Sequence, residues 1–496
     1  LIALDLERGT PCPSFGDRGT VDLLRGIENV VDPWEYNMTS PPTVVADVVV
    51  VGSSIADIIR RIQPSGAVRG FDARSGALRW RFDTIPRRGQ VGIETWKAGG
   101  WRKTGGANVW STITADLARG LVFLPVSTAS PDFYGGDRLG ANLFSDSVVA
   151  LDARTGERAW HFQTVHHDLW DYDLAAPPNL VRVKHRGKDV DAVAQATKTG
   201  FVFLLDRQTG SPLFPVEERP VPMSDVPGEE AHPTQPVPAH PPPLVPQELR
   251  ASDLWDADAA RLAKCHERFR RLRNDGLFTP PSERGSILYP YTGGGANWSG
   301  AAFDPATRLL YVPVNNLVHT IELQKLPTAN VDDIDGIVLQ GGFGALWWLL
   351  TGRGTGLRYF MDRRLFEEDG VACNAPPWGY LVAVDLDRGE IRWNVPAGED
   401  GEGTRGLPNY GPPLVTAGGL VFHAGSRDLR LRAHDAESGA VLASFDLPAG
   451  LHAGPITYKL GAGRKQFLVI APGGHVTLGS KLGDYVIAYS LPDGAP

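Results

Sequence analysis

One short pattern recurs along the whole chain and restricts the folds that the sequence can adopt. Each copy has one or two apolar residues, an Asp, three further residues, a Gly and then alternating apolar positions; the copies are residues 3–11, 70–82, 150–162, 204–214, 383–393 and 433–445. An Asp caps a tight turn, a Gly accepts a positive φ, and apolar residues at every second position indicate a strand. Each copy therefore predicts a β-hairpin.

A second pattern alternates with the first. Each of its copies has the sequence of a strand, a short turn and an apolar strand; the copies are residues 41–53, 111–127, 300–315 and 412–426. One copy of each pattern supplies four strands, which is the content of one propeller blade, and repeats of such units indicate a β-propeller. A sandwich array also fits the repeats. Trp80, Trp160 and Trp393 occupy matching places in three copies, where a large ring can wedge between neighbouring sheets, and this favours radial packing.

The sequence therefore predicts an all-β chain that forms one β-propeller domain over residues 1–496. The ring is expected to have eight blades when whole, with part of an N-terminal blade missing. The high content of turn residues, 57 Gly and 40 Pro, agrees with such a fold. Residues 215–290, which include a Pro-rich run and a segment of helical spacing at 256–276, break the rhythm, as do residues 325–375. We expect excursions between blades here, not separate domains.

Composition excludes several classes of protein. The formal net charge is −8 and no basic stripe interleaved with aromatic residues is present, so nucleic acid is not an expected partner. No apolar run is long enough to span a membrane. The first residue is Leu, so we expect a truncated N-terminus, ahead of which a signal peptide or membrane anchor would lie. Of the three cysteines, Cys265 and Cys373 form a disulfide in an oxidising compartment or remain buried thiols; the sequence leaves both open.

The segment "TVHHDLWDYD" at residues 164–173 concentrates polar chemistry in ten positions. Asp168, Asp171 and Asp173 could all face one cation. His166 and His167 are adjacent, so on a strand they would point to opposite sides, and the pair lacks the spacing of a zinc site. A structural role is expected for both histidines. The local sequence leaves a metal site, a catalytic site and a polar turn open.

This segment, together with "ATKTGFVFLLDRQTGSPLFPVEERPVP" after it, resembles the quinoprotein dehydrogenases that use pyrroloquinoline quinone (PQQ). The resemblance is strongest to the membrane-bound glucose dehydrogenase branch. It extends over most of the chain, through the segments at residues 39–57, 64–80, 276–286, 376–393 and 471–492. The resemblance implies a quinoprotein propeller with PQQ and Ca²⁺ as cofactors.

The resemblance also implies roles for individual residues. Asp171 matches the catalytic base, and Lys198 matches the basic residue that binds the reactive oxygens of the quinone. Trp110 in "GANVW" matches the aromatic floor beneath the cofactor, and Asn315 in "VPVNN" matches a polar contact to it. Proton removal by a positioned Asp is general-base catalysis.

A second set of residues matches the calcium site of the family. Asp57 and Ser130 fall where the family places oxygen ligands, and Asp171 is expected to complete them; a hard cation such as Ca²⁺ prefers oxygen. Ile58 follows Asp57 where the branch has an amide side chain, so one ligand is missing. We therefore expect weak calcium binding in the absence of PQQ.

The function implied is oxidation of a sugar or polyol hydroxyl, with hydride transfer to PQQ and electrons passed to ubiquinone or a cytochrome. Cyclic acids such as quinate are also substrates within this branch. The expected location is the periplasm, with an inner-membrane anchor in the missing N-terminus. Two alternatives remain at this point: a non-enzymatic propeller scaffold of the kind used in outer-membrane assembly, and a metal-dependent hydrolase built on the His-His-Asp cluster.

Overall fold

The structure is a computed structural model that describes residues 1–57, 60–325, 356–401, 403–461 and 465–491. Strands dominate it. The strands of the first half are β1 (Tyr36–Asn37), β2 (Thr43–Val45), β3 (Val48–Val51), β4 (Ser54–Ile55), β5 (Val68–Asp72), β6 (Leu78–Phe82), β7 (Thr114–Asp116), β8 (Leu121–Pro125), β9 (Ser147–Asp152), β10 (Arg158–Gln163), β11 (Asn179–His185), β12 (Lys188–Ala196), β13 (Val202–Asp206), β14 (Val216–Pro220) and β15 (Thr234–Pro238).

The strands of the second half are β16 (Ser286–Leu288), β17 (Ala302–Phe303), β18 (Leu309–Asn315), β19 (His319–Lys325), β20 (Tyr359–Leu365), β21 (Glu367–Glu368), β22 (Val371–Ala372), β23 (Gly379–Asp385), β24 (Glu390–Pro396), β25 (Leu414–Val415), β26 (Leu420–His423), β27 (Arg430–Asp435), β28 (Val441–Asp446), β29 (Ile456–Lys459), β30 (Gln466–Ile470) and β31 (Ile487–Ser490). Short 3-10 helices cover Pro33–Glu35, Ile93–Thr95, Lys97–Arg102 and Ala251–Asp253.

Four antiparallel sheets confirm the pairing of the two sequence patterns. Each sheet has four strands, in the orders β2-β3-β5-β6, β7-β8-β9-β10, β17-β18-β23-β24 and β25-β26-β27-β28. In each, one copy of the second pattern supplies the first two strands and one copy of the first pattern supplies the last two. Three further sheets have three strands, β11-β12-β13, β16-β19-β20 and β29-β30-β31. The chain is therefore all-β, as predicted.

The three repeated tryptophans join one sheet to the next. Each indole N–H donates to a backbone carbonyl in the turn of the following copy: Trp80 to Ala153 at 2.9 Å, Trp160 to Arg207 at 3.0 Å and Trp393 to Ala436 at 3.1 Å. The repeat glycine of that turn leaves room for the ring, because a Cβ added at Gly210 would lie 2.5 Å from Trp160, and the φ of Gly210 is +73°. The predicted packing of a Trp ring between neighbouring sheets is confirmed. The ring of one repeat packs against the Gly of the next repeat.

The two irregular stretches pack on each other. The predicted helix is α1 (Ala259–Arg271), whose 13 residues make it too short and too polar to cross a bilayer; it is the only α-helix in the described part of the chain. Strand β16 of the first stretch pairs with β19, which leads directly into the second. A disulfide joins Cys265 of α1 to Cys373, with Cα atoms 5.7 Å apart. Together the stretches form one cap, a name that we use below for residues 215–290 and the described part of 319–375.

We expect the disulfide to hold this cap in place. It closes a sequence separation of 108 residues, and a loop of that size corresponds to a stabilisation of about 3 to 5 kcal/mol. The double variant Cys265→Ala/Cys373→Ala should therefore unfold at a clearly lower urea concentration than the parent. The matched control is Cys12→Ala, which removes the cysteine outside the disulfide. Equal unfolding midpoints for the double variant and the parent would show that the bond adds no stability.

Candidate active site

The turn at residues 168–172 is built around a buried carboxylate. The carboxylate of Asp168 accepts the backbone N–H groups of Trp170 at 2.8 Å and Tyr172 at 2.7 Å, and also the hydroxyl of Thr128. Asp171 consequently lies in the left-handed region, with φ of +58°. Asp168 does not face a cation site with Asp171 and Asp173, as the sequence allowed, because its oxygens are used to form the turn.

The turn projects Asp171 into a cavity of about 270 Å³. The cavity is formed where loops at the ends of several sheets meet, and its wall combines carboxylates, hydroxyls, amides and two indole rings. The lining residues are Ser54, Ile55, Asp57, Asn108, Trp110, Ser127, Thr128, Asp132, Asp171, Asp173, Lys198, Thr292, Gly293, Asn297 and Trp298. Four of the predicted site residues, Asp57, Trp110, Asp171 and Lys198, are therefore brought together.

A buried lysine bridges two of the carboxylates. The ammonium of Lys198 donates to Asp171 Oδ1 and to the backbone carbonyl of Asp171, both at 2.8 Å, and it forms an ion pair with Asp173 Oδ1. Burial alone would lower the pKa of Lys198, but the two carboxylates raise it above its usual value. Lys198 is therefore a fixed cation at the cavity wall.

The pKa of Asp171 is shifted to a value that suits proton transfer near neutral pH. Burial raises its pKa; Lys198 lowers the pKa, Asp173 raises it, and the resulting value is about 7. Its second oxygen, Oδ2, lies 3.4 Å from Nη1 of Arg363, which also donates to the Thr292 hydroxyl at 3.0 Å. Asp171 thus has one oxygen held firmly by Lys198 and the other only loosely held.

Asp173 also fixes the aromatic part of the cavity wall. The indole N–H of Trp110 donates to Asp173 Oδ2, so Asp173 orients both Trp110 and Lys198. Trp298 meets Trp110 edge to face, with ring centroids 6.4 Å apart, and stacks on Tyr410 at 4.6 Å. The cavity therefore presents rigid aromatic surfaces next to a cation.

A second region of the cavity wall is suited to a cation. Asp132 is buried, and no donor in the described part of the chain reaches its Oδ1. Burial and the neighbouring charges of Asp57 and Asp171 raise the pKa of Asp132. Asp57 also lines the cavity. Within the described residues no three His, Cys, Asp or Glu side chains are arranged to hold a metal by themselves, so a hard cation here needs oxygens from a bound molecule or water as well.

Two of the predicted site residues have other partners. The amide of Asn315 exchanges hydrogen bonds with the backbone of Asn409, donating at 2.9 Å and accepting at 2.8 Å, and so joins β18 to the segment that leads into β25. The hydroxyl of Ser130 donates to Gln63 Oε1 at 3.4 Å. Neither residue is among the described residues that line the cavity. Ile58, the expected gap in the calcium ligands, lies outside the described residues.

Sequence reasoning missed several residues of the site. Asp132 and Arg363 carry no local signal beyond their charge, and for Asp173 the sequence suggested a cation ligand but not its contacts with Trp110 and Lys198. Asn297 and Trp298 do carry one, because "GANWSG" at residues 295–300 repeats the "GANVWS" at 106–111 that contains Trp110. The repeated motif places an indole on two sides of the same cavity.

Comparisons with known proteins identify the family of the chain. A family model described as "PQQ: Glucose/ethanol/alcohol dehydrogenase, beta-propeller domain" matches residues 1–468. The chain is 36% identical to the quinate/shikimate dehydrogenase (quinone) of Acinetobacter baylyi, covering 99% of this chain and 61% of that protein. It is 37% identical to the glycerol dehydrogenase large subunit of Gluconobacter oxydans, with coverages of 99% and 68%.

A third relative is the quinoprotein glucose dehydrogenase of Escherichia coli, at 33% identity, with coverages of 99% and 62%. The chain thus spans about 61% to 68% of the length of these relatives. Among solved structures, quinohemoprotein alcohol dehydrogenase from Comamonas testosteroni has a TM-score of 0.62 and 23% identity over 91% of this chain and 59% of that one, which shows a shared fold. The chain therefore belongs to the PQQ-dependent glucose/ethanol/alcohol dehydrogenase family of β-propellers.

Proposed function

We propose that the chain is the catalytic propeller of a PQQ-dependent dehydrogenase that oxidises a secondary or primary hydroxyl of a sugar, a polyol or a cyclic polyhydroxy acid. The observation that carries the proposal is the triad of Asp171, Lys198 and Asp173 beside Trp110 in one cavity. The relatives named for quinate, glycerol and glucose support this range of substrates.

The cavity fits the cofactors that the family implies. PQQ is a flat molecule with three carboxylates, and the indoles of Trp110 and Trp298 with the Lys198 ammonium would hold such a molecule. Asp57 and Asp132, with Asp171 and oxygens of PQQ or water, would hold Ca²⁺, since no donor reaches the Oδ1 of Asp132 and a cation beside it would keep that carboxylate ionised. Ser130 and Asn315 would join the site only after leaving Gln63 and Asn409. When bound, PQQ supplies the two-electron acceptor and Ca²⁺ acts as a Lewis acid.

The residues of the chain then have separate tasks. Asp171 accepts the hydroxyl proton at Oδ2, because Lys198 and its hydrogen bond occupy Oδ1. Lys198 places a positive charge beside the reacting atoms without losing its own proton. Asp173 keeps that charge and the Trp110 ring in place.

We propose a single domain with a ring of eight blades, which the serial four-stranded sheets and their tryptophan contacts support. The disulfide supports an oxidising compartment such as the periplasm, where the protein would be held by an inner-membrane anchor. A quinone in the name of the Acinetobacter relative supports a quinone as electron acceptor, with a cytochrome as the alternative.

The test is reconstitution of the purified protein with PQQ and Ca²⁺, followed by reduction of an artificial electron-accepting dye. The panel should contain glucose, glycerol and quinate, which represent the three substrate classes. We expect dye reduction with at least one class, dependent on PQQ. Tight PQQ binding without turnover of any class would favour a non-enzymatic propeller, and turnover with Ca²⁺ but without PQQ would point to another reaction.

A further inference from the structure

The two adjacent histidines of the 164–173 segment have very different environments. The ring of His166 lies near the surface, with Nδ1 2.8 Å from Gln163 Oε1 and Nε2 3.1 Å from Glu218 Oε1. The ring of His167 is completely buried and lies one residue before Asp168, which forms the turn that presents Asp171. The proposed mechanism uses neither ring, so the buried one requires another explanation.

Both nitrogens of His167 face hydrogen-bond acceptors. Nδ1 lies 3.0 Å from Asn142 Oδ1, an oxygen that already accepts Nη1 of Arg138 at 2.8 Å. Nε2 lies 2.7 Å from Glu229 Oε1, which also accepts the backbone N–H of Glu230 at 2.8 Å. An amide oxygen and an ionised carboxylate cannot donate to the ring, so with Glu229 ionised this geometry assigns a proton to each ring nitrogen. The contacts thus point to an imidazolium at His167.

The carboxylate of Glu229 is ionised on the same grounds. Its Oε2 accepts the backbone N–H of Gly135, so both of its oxygens are engaged as acceptors. Burial raises the pKa of Glu229, but the hydrogen bond and charge of His167 outweigh burial and lower it. The two side chains form an ion pair with exposed fractions of 0% and 2%. A buried pair of this kind is costly to break at one end.

The pair belongs to a network that ends at the catalytic turn. Arg138, which is also fully buried, donates to the backbone carbonyl of Asp168 and to that of Pro131 at 2.9 Å. Asn142 links Arg138 to His167. The charged groups around the His167 ring are thus Glu229 and, through Asn142, Arg138, with Asp168 next along the chain. His167, just before the turn, and Asp171, within it, have positive φ values of +46° and +58°, so the conformation of this segment depends on such support.

We propose that Glu229 is a positioning residue, which holds His167 as a buried imidazolium and thereby fixes the turn that presents Asp171 to the substrate. Glu229 belongs to the cap, whereas His167 follows β10 of a blade. The contact thus makes the geometry of the catalytic base dependent on the docking of the cap. The catalytic part of this inference rests on the proposed dehydrogenase function; the charge state of His167 does not.

The chain contains a matched control for this contact. Glu229→Gln keeps the size of the side chain but removes the charge that stabilises the imidazolium. Glu218→Gln makes the same change at the partner of the neighbouring His166, on the protein surface. We expect Glu229→Gln to lower kcat by about tenfold to a hundredfold, the scale of a small misplacement of a catalytic group, with KM and PQQ affinity nearly unchanged. Glu218→Gln should leave all three unchanged.

A double-mutant cycle separates positioning through His167 from a general loss of packing. His167→Gln alone should lower kcat by a similar factor, and the double variant Glu229→Gln/His167→Gln should be no slower than the slower single variant, because both act through one contact. Additive losses, or a loss of PQQ binding that parallels the loss of kcat, would contradict the positioning role.

The charge state can be measured without turnover. In protein with ¹⁵N-labelled histidine, ring nitrogen shifts at pH 8 should show one imidazolium in the wild type, absent in both Glu229→Gln and His167→Gln. A neutral ring at position 167 in the wild type would overturn the inference. An imidazolium there in a protein that oxidises no substrate would instead refute the proposed function and leave the assignment of His167 intact.

Discussion

Replacing Asp171 with Asn is expected to lower kcat by about 10²-fold to 10⁴-fold, the usual contribution of a general base. Asn keeps the shape of the side chain and can still accept a hydrogen bond from Lys198, but it cannot take the proton of the substrate hydroxyl. PQQ should still bind, since the Trp110 ring and Lys198 remain in place. The measurement is steady-state dye reduction at saturating PQQ and Ca²⁺.

The control for this variant is Asp362→Asn, which removes an acid whose carboxylate pairs with Arg364 in the cap at 2.8 Å and does not line the cavity. It should retain the wild-type kcat. If Asp171→Asn keeps more than a tenth of the wild-type kcat, Asp171 is not the base. Loss of PQQ binding by the variant would show that Asp171 belongs to the cofactor site and would leave its role as base unsupported.

Replacing Lys198 with Met should destabilise the protein freed of cations, in addition to abolishing cofactor function. Met has similar length but leaves Asp173 and Asp171 without their shared cation. Removing one member of a buried ion pair costs about 3 to 5 kcal/mol. The measurement is urea unfolding in the presence of a chelator, with Lys184→Met at an exposed lysine as the control.

The loss of stability in Lys198→Met should grow with pH. In the wild type, burial already raises the pKa of Asp171 to about 7 despite the nearby Lys198, and removing the lysine raises it further. An acid whose pKa is higher in the folded state favours folding when it is protonated, and that contribution is lost as the pH rises through the folded-state pKa. The variant should therefore be closest to the wild type near pH 5.5 and furthest from it near pH 8. A pH-independent difference would contradict this assignment of charges.

The repeats predicted the blades well because their signals are local. The Asp, the Gly and the alternating apolar residues of each copy specify a hairpin within about a dozen positions, and Trp160 needs only the next copy to find its partner. The same locality placed Asp171 and Lys198 in one site through motifs that resemble a family. These elements could be predicted because each turn and strand is decided by its own residues.

The rest of the site depends on contacts that local sequence does not encode. Glu229 and Arg363 lie in the cap, yet they reach His167 and Asp171 across 62 and 192 positions of the chain. The local sequence allows Asp168 to face a cation with its neighbours, but in the structure its carboxylate accepts backbone N–H groups of its own turn. Asn315 is predicted to contact the cofactor, but its amide forms hydrogen bonds with the backbone of Asn409, in the segment that precedes β25.

The most direct test of the account is whether PQQ binds in this cavity. PQQ should be titrated into the purified protein with Ca²⁺, and the quenching of tryptophan fluorescence recorded for the wild type, Trp110→Leu and Trp34→Leu. Trp110 lines the cavity, whereas Trp34 is 36% exposed and does not line it. We expect one PQQ per chain, with affinity greatly weakened by Trp110→Leu and unchanged by Trp34→Leu. No saturable binding in the wild type, or equal affinity in all three proteins, would contradict it.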